Sequence, residues 1–295
     1  KRRATNLETG TYPEPVRHLL GEMTAAAVLM QSNIKFNGAL VMQIFGDGPL
    51  KLAVVEVQPD LSVRSTAKVV GNLDGAQTLS AMVNVNNAGR CAITLDPLTK
   101  LPGQQPYQGV VPLFDDHRNK IDRFSDVLQH YMLQSEQLDT TLVLAADDKS
   151  AAGLLIQRLP IKGEGNLAAK ATMADEDEIG RNEDYNRISI LAASLKSDEL
   201  LQLDADTILR RLFWEEKLLR LETLTPSFAC SCSRDRVSNM IRSLGAVEVE
   251  SILSEREDVE VGCDFCGQQY RFDAVDAAQI FTSADKQVPG SSAIQ

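Results

Sequence analysis

Four of the five cysteines in this 295-residue chain lie between Cys230 and Cys266, arranged as Cys230-x-Cys232, thirty intervening residues, then Cys263-x-x-Cys266. This spacing constrains the fold more than any other feature. Two tight pairs brought together by one loop supply four soft donors with little chain entropy lost inside each pair, which suits a tetrahedral thiolate site for Zn(II), one ion per chain. A secreted disulfide scaffold would spread cysteines through a short chain. A long stretch containing only Cys91, followed by two close pairs, fits a reducing cytoplasm and a metal site instead. No histidine is near, since His18, His117 and His130 all fall in the first half of the chain.

The residues around the cysteines agree with such a site. Ser233 is placed to cap a helix with Val237, Met240, Ile241 and Leu244 on its apolar face and Gly245 at its end, setting the first pair at a helix N-terminus where amide dipoles favour thiolates. Gly267 allows a tight turn around the second pair. Arg234, Arg236 and Arg271 are close enough in sequence to offset part of the charge on a tetrathiolate. The expected core of this module is thin: Phe228, Met240, Ile241, Leu244, Ile252, Leu253, Phe265, Tyr270 and Phe272. Two functions stay open on these residues alone. The site is a scaffold, as most four-cysteine zinc sites are, or it is a switch, because thiols two residues apart can close a small, strained and therefore labile disulfide. Loss of metal would then unfold the module.

Ahead of the cysteines the pattern is α+β, with antiparallel sheets packed against helices. Apolar residues recur at helical spacing from Pro15 to Met30, and strand-like runs follow at 38–45, 50–57 and 61–70, separated by Gly46-Asp47-Gly48-Pro49 and Gln58-Pro59-Asp60. A fourth run covers Cys91 to Leu95, and a proline-rich loop through Pro102, Pro106 and Pro112 leads to a second helix carrying Ile121, Phe124, Leu128, Tyr131, Met132 and Leu138. Strands are expected again at 141–146 and 153–159. The composition then changes, and six acids against Arg181 between Asp175 and Asp184 mark a boundary. Two short helices are expected beyond it, one with Ile188, Leu191 and Leu195, the other with Ile208, Leu212, Leu219 and Leu224. The expected organisation is an N-terminal domain at 1–177, a helical linker at 178–225, a zinc-binding domain at 226–282 and a disordered tail at 283–295. Lys1-Arg2-Arg3 is followed by polar residues rather than an apolar stretch, so it does not read as a signal peptide, and the absence of an initiator Met points to a start inside a longer chain.

The stretch from Phe228 to Gly245, FACSCSRDRVSNMIRSLG, together with CDFCGQQYRFD from Cys263 to Asp273, resembles the zinc domain of the bacterial redox-regulated chaperone called heat-shock protein 33. Blocks at 45–57, 106–113, 131–140 and 211–218 are similar to blocks of that family in the same order, so the resemblance covers nearly the whole chain. It departs at Gln134 and Asp139, away from the cysteines, and the family's first strand is expected upstream of Lys1. The resemblance implies an ATP-independent holdase, not an enzyme. Reduced, it holds zinc on Cys230, Cys232, Cys263 and Cys266 and is inactive. On oxidation, disulfides form within Cys230/Cys232 and within Cys263/Cys266, zinc leaves, the zinc domain and linker unfold, and the chain dimerises and binds unfolding client proteins.

Other readings are weaker. With 41 acidic against 30 basic residues the formal net charge is −11, and the stretch 226–281 has ten acids against five arginines, so a nucleic-acid-binding zinc ribbon, the alternative function, is disfavoured. No apolar run approaches the roughly 20 residues that span a bilayer, so no membrane partner is expected. Cys263-Asp-Phe-Cys266 lacks the strand-to-helix setting of a thioredoxin-like motif. Gly46-Asp47-Gly48 reads as a hairpin rather than a phosphate loop, the acidic run as a linker rather than a calcium site, and Ser135-Glu136-Gln137 as a capping or packing element rather than a catalytic one. Cys91 reads as an inert buried thiol.

Overall fold

The computed structural model describes residues 5–6, 10–99, 103–158 and 176–285. In chain order the elements are β1 (Thr5–Asn6), β2 (Gly10–Thr11), α1 (Glu14–Asn33), β3 (Gly38–Phe45), β4 (Leu50–Val57), β5 (Ser62–Val69), α2 (Leu79–Val83), β6 (Arg90–Pro97) and β7 (Tyr107–Pro112). There follow α3 (Phe124–Glu136), β8 (Thr140–Ala146), β9 (Ala151–Gln157), α4 (Glu176–Ala193), α5 (Ser197–Gln202), α6 (Ala205–Leu212) and β10 (Ser227–Phe228). The last are α7 (Arg234–Leu244), α8 (Ala246–Glu255), β11 (Val259–Gly262), β12 (Gln269–Phe272) and α9 (Ala274–Asp285). The fold is α+β, and it divides into two compact units, Tyr12–Phe228 and a second comprising Ala229–Gln295 with Lys1–Thr11.

The larger unit is built on a six-stranded sheet of order β10-β5-β4-β3-β6-β7, antiparallel except for the short β10, which runs parallel to β5. The expected β3-β4-β5 meander is present, with Leu40 opposite Val57 and Ala53 opposite Ala67. Within the stretch expected as a proline-rich loop lies β7, whose place at the sheet edge tolerates Pro112. The Gly46–Pro49 segment is a hairpin turn. The Gly46 N–H donates to Lys51 O at 2.9 Å and the Asp47 N–H to Val83 O at 3.0 Å, so amides that a phosphate would need are committed within the protein.

One helix joins this sheet to a second one. Pro15 sits in the first turn of α1, where a missing N–H costs nothing, and Val16, Leu19, Leu20, Met23, Ala26 and Ala27 are buried along its length. On one side α1 packs against β3, β4 and β5, and on the other against the β8–β9 hairpin. Gly21 makes the second approach possible, because a Cβ there would stand 2.5 Å from the Ala146 Cβ. Strand alternation gives β8–β9 two apolar faces: Leu144 and Gly153 lie towards α1, while Val143, Ala145, Ala152 and Leu154 meet Leu195, Leu200, Leu203, Ile208 and Leu212 from the segment after α4.

Several helix boundaries differ from the sequence reading. Ile121 and Leu138 fall outside α3, which ends where Gln137 adopts a left-handed conformation at φ 56°. Leu195 follows α4 rather than belonging to it, yet is buried. The second expected linker helix stops at Leu212, and Leu219 and Leu224 lie beyond it in non-helical chain, exposed together with Trp214, Leu218 and Leu221. Helices this short are held by packing, and leucines with no surface to face give none. The helix α9 runs to Asp285 and so includes the first residues of the expected tail; residues 286–295 lie outside the described residues, as do Lys1-Arg2-Arg3 and 159–175 around the expected domain boundary.

A cleft of about 610 Å³ between α1, α3 and β8, bordered by Ala193, Leu195 and Ser197, contains Glu22 with Glu14, His18, Asp122, Arg123 and Asp126. Burial pushes the Glu22 carboxyl up to about 7, against the opposing pull of the Arg123 guanidinium. Because its folded-state value is raised, the stability linked to this group is fully present at acid pH and is lost as pH rises through 7. Glu22→Gln is therefore expected to stabilise the larger unit by about 1–2 kcal/mol at pH 8 and by about a quarter of that at pH 5, read by urea unfolding at the two pH values.

Candidate metal centre

Both cysteine pairs sit at places where the backbone turns sharply next to regular structure. The chain leaves β10, passes Cys230 and Cys232, and enters α7, where Ser233 is the N-cap and its Oγ accepts from the Arg236 N–H at 3.2 Å. Gly245 ends the helix as its sequence implied. Cys263 follows β11, and Cys266 lies in the turn to β12. That turn is closed by Cys263 N–H to Gln268 O at 2.9 Å and Gly267 N–H to Cys263 O at 2.8 Å, with Gly267 at φ 76°, a conformation favouring glycine.

These elements bring the sulfurs of Cys230, Cys232, Cys263 and Cys266 to within 4.8 Å of one another. Cys230 Sγ lies 3.6 Å from Cys263 Sγ, and Cys232 Sγ lies 3.4 Å from Cys266 Sγ. Four thiolates at about 2.3 Å from a tetrahedral Zn(II) stand roughly 3.8 Å apart, so the donor type, number and spacing all fit that ion. Without a cation the site favours the neutral thiol. Burial pushes the Cys266 thiol up to about 12, reinforced by hydrogen bonds with Cys232, Cys230 and Cys263, and burial likewise raises Cys263. A dication reverses that balance and holds coordinating thiols deprotonated.

The surroundings are partly those expected. Arg236 donates to Ser231 Oγ at 2.7 Å, bracing the loop between the first two cysteines. Arg234 instead bonds Asp276 at 2.7 Å and lies over the Phe272 ring, and Arg271 pairs with Glu260 at 3.1 Å. Both cations are committed to carboxylates. The core of this unit is Ile241, Val249, Val259, Phe272, Ala277 and Ile280, with Val237, Ile252, Leu253 and Tyr270 packed against it. Met240 and Leu244, expected inside, are exposed, and Phe228 belongs to β10 of the larger unit. The reason is geometric: β11, β12 and α9 cover only the Val237–Ile241 side of α7. Cys91, in β6, is 2% exposed with its thiol pushed up to about 12 by burial, an inert core residue. Glu136 accepts hydrogen bonds from Tyr131 at 2.7 Å and Tyr107 at 3.1 Å, a packing role.

One site residue was not visible as such in the sequence. The Tyr270 hydroxyl donates to Cys232 Sγ at 3.2 Å, and that contact, before desolvation, pushes the phenol up to about 12. In sequence it looked like a core aromatic. The available signal was its place on the second strand of a hairpin whose turn holds Cys266.

The fold and site together define a mixed α+β protein with a small module that can hold a metal ion on four thiols. A family model described as Hsp33 protein matches residues 4–273. Among curated relatives, the 33 kDa chaperonin of Chromobacterium violaceum is 46% identical over 270 residues, covering 92% of this chain and 83% of that one. Those of Methylobacillus flagellatus and Neisseria meningitidis serogroup A are 41% and 38% identical, covering 94% and 92% of this chain and 86% and 81% of theirs. The crystal structure of a 33 kDa chaperonin from Thermotoga maritima superposes with a TM-score of 0.69 at 20% identity, covering 97% of this chain and 89% of that one, which supports the fold. The chain belongs to the Hsp33 family, and a chaperone role follows from that membership. No helix among the described residues is long and apolar enough to cross a membrane.

The cap makes a local claim that can be measured. Ser233→Ala removes the acceptor for the Arg236 N–H and is expected to destabilise the smaller unit by about 1 kcal/mol, read as earlier urea unfolding of that unit.

Proposed function

We propose that this protein is a cytoplasmic, ATP-independent holdase switched by oxidation of Cys230, Cys232, Cys263 and Cys266, and that it is not an enzyme. The observation that carries the reading is the convergence of four sulfurs within 4.8 Å in a unit whose buried apolar core, among the described residues, is a cluster of six. Bound there, one Zn(II) supplies the charge that keeps the sulfurs as thiolates and a crosslink on the order of 10 kcal/mol, more than so thin a core provides. In the reduced protein the four side chains tie the start of α7 to the β11–β12 turn. When peroxide oxidises them, each pair of thiolates gives up two electrons to one peroxide, one S–S bond forms, the O–O bond breaks and two hydroxides leave. The pairs are Cys230 with Cys232 and Cys263 with Cys266. Such bonds remove every donor at once and release the ends of α7 and the hairpin from each other.

Residues 178–225 act as a metastable linker that loses its structure after residues 226–282. Leu195, Leu200, Leu203, Ile208 and Leu212 cover one apolar face of the β8–β9 hairpin, so release of this segment uncovers that face and its own leucines together. Trp214, Leu218, Leu219 and Leu221 are exposed already. Segments this polar, with few other buried anchors, have little reason to remain folded alone. The uncovered surfaces bind unfolding client proteins and the oxidised chain dimerises.

The test follows zinc in solution and light scattering of a thermally unfolding client together. Peroxide is expected to release about one zinc per chain, with scattering suppressed only after release and restored by a thiol reductant. Zinc that stays bound, or suppression equal in the reduced protein, contradicts the switch.

A further inference from the structure

The cleft between α1, α3 and β8 of the larger unit has no part in the chemistry at sulfur. The geometry points to a binding site there for a small aliphatic polyamine, with one of its ammonium groups on Glu22. Glu14, His18 and Glu22 follow one another at four-residue steps and so lie on one face of α1, while Asp122, Arg123 and Asp126 line the cleft from the start of α3. Leu142 and Leu144 of β8, with Leu19, Met82 and Phe124, add an apolar wall of buried side chains. The space of about 610 Å³ is that of a small-molecule site, a few polar groups set against apolar ones.

Most charges around this space are already matched. Arg123 forks onto Asp126 at 2.9 and 3.1 Å, the Ser80 hydroxyl donates to Asp122, and His18 lies 3.9 Å from Glu14. Glu22 is the exception. Half-buried, it makes no hydrogen bond or ion pair among the described residues, and the Arg123 guanidinium acts on it only from a distance. The other parts of the lining, from β8 and from the segments at 77–82 and 193–197, bring no charged side chain. With Glu14, Glu22, Asp122 and Asp126 against Arg123, the cleft is left negative. A carboxylate so placed is stabilised by a cation that carries its own donors and can lie along apolar surface, which an ammonium on a methylene stem does. A divalent metal ion fits less well, because among the described residues only the four cysteines bring three or more ligand atoms within 4.8 Å of one another. Glu14 and Glu22 are two turns apart, roughly 12 Å along the helix, so an extended chain with several ammonium groups reaches both while a single amine reaches one.

The experiment titrates spermidine into the full reduced chain by calorimetry at about 0.15 M salt, where attraction between exposed charges is screened. One saturable site per chain is expected. Burial holds the Glu22 carboxyl up at about 7, so binding is expected to release protons and to tighten about ten-fold from pH 6 to pH 8 as the carboxylate forms. Glu22→Gln keeps the shape of the side chain and is expected to weaken binding at pH 8 about ten-fold and to remove most of the pH dependence, the remainder belonging to the other groups that face the cleft, His18 included. Glu257→Gln removes the same charge from an exposed position in the smaller unit and is expected to leave binding unchanged. Nα-acetyl-lysine amide, with one ammonium, is expected to bind at least about ten-fold more weakly than spermidine. The absence of a saturable site overturns the proposal, as does equal binding by wild type and Glu22→Gln, or equal weakening in Glu22→Gln and Glu257→Gln, which marks diffuse attraction to a chain of net charge −11. Displacement of spermidine by an equal concentration of magnesium chloride assigns the cleft to a metal ion instead, and equal affinity for the lysine amide assigns it to lysine side chains; either result overturns the polyamine.

Discussion

Four sulfurs held within 4.8 Å of one another are the constraint on which the smaller unit depends. As thiols they fill a crowded, partly buried space; as thiolates they repel. Burial and mutual contact push Cys263 and Cys266 upward, so the arrangement resists ionisation by itself. A dication resolves the conflict, and the unit around the site is too thin to be indifferent to whether one is present. Ile241, Val249, Val259, Phe272, Ala277 and Ile280 make a core far smaller than that along β3, β4 and α1. On the proposed reading, stability of the one unit is tied to chemistry at sulfur, and stability of the other is not.

The larger unit carries a second, quieter dependence. Its β8–β9 hairpin is covered by α1 on one face and by α5, α6 and the chain beside them on the other. The first cover is made from a continuous helix closed down on Gly21, with six fully or nearly buried apolar side chains along it. The second is made from α5 and α6, helices of six and eight residues, and a few leucines. Removing α1 would dismantle the domain, whereas removing α5 and α6 exposes an apolar face on a sheet that keeps its other support. The contrast gives the proposed chaperone a way to offer apolar surface without unfolding throughout.

Much of this was legible beforehand, for identifiable reasons. The cysteine spacing, the Ser233 cap, the Gly245 end and the Gly267 turn depend on local chemistry, and local chemistry is what a sequence displays. Strand alternation placed β3, β4 and β5, and the Gly46–Pro49 turn joined the first two. What was missed depends on tertiary partners. Whether Met240 and Leu244 are buried turns on which side of α7 the hairpin and α9 take. Strand β7 was hidden among prolines because the one strand it pairs with among the described residues, β6, precedes it by a loop, and the stop of α6 at Leu212 reflects the lack of a surface for Leu219 and Leu224. Tyr270 looked like one more core aromatic because its bond to Cys232 crosses 38 residues of chain.

The central claim is that metal on the four cysteines holds the smaller unit together. Its most direct test is amide hydrogen exchange on the reduced full chain before and after removal of zinc by a chelator, with no oxidant present. The account predicts that protection collapses across α7, β11, β12 and α9 while β3, β4 and β6 remain protected. Retained protection in α7 and the β11–β12 hairpin after complete zinc removal would contradict it.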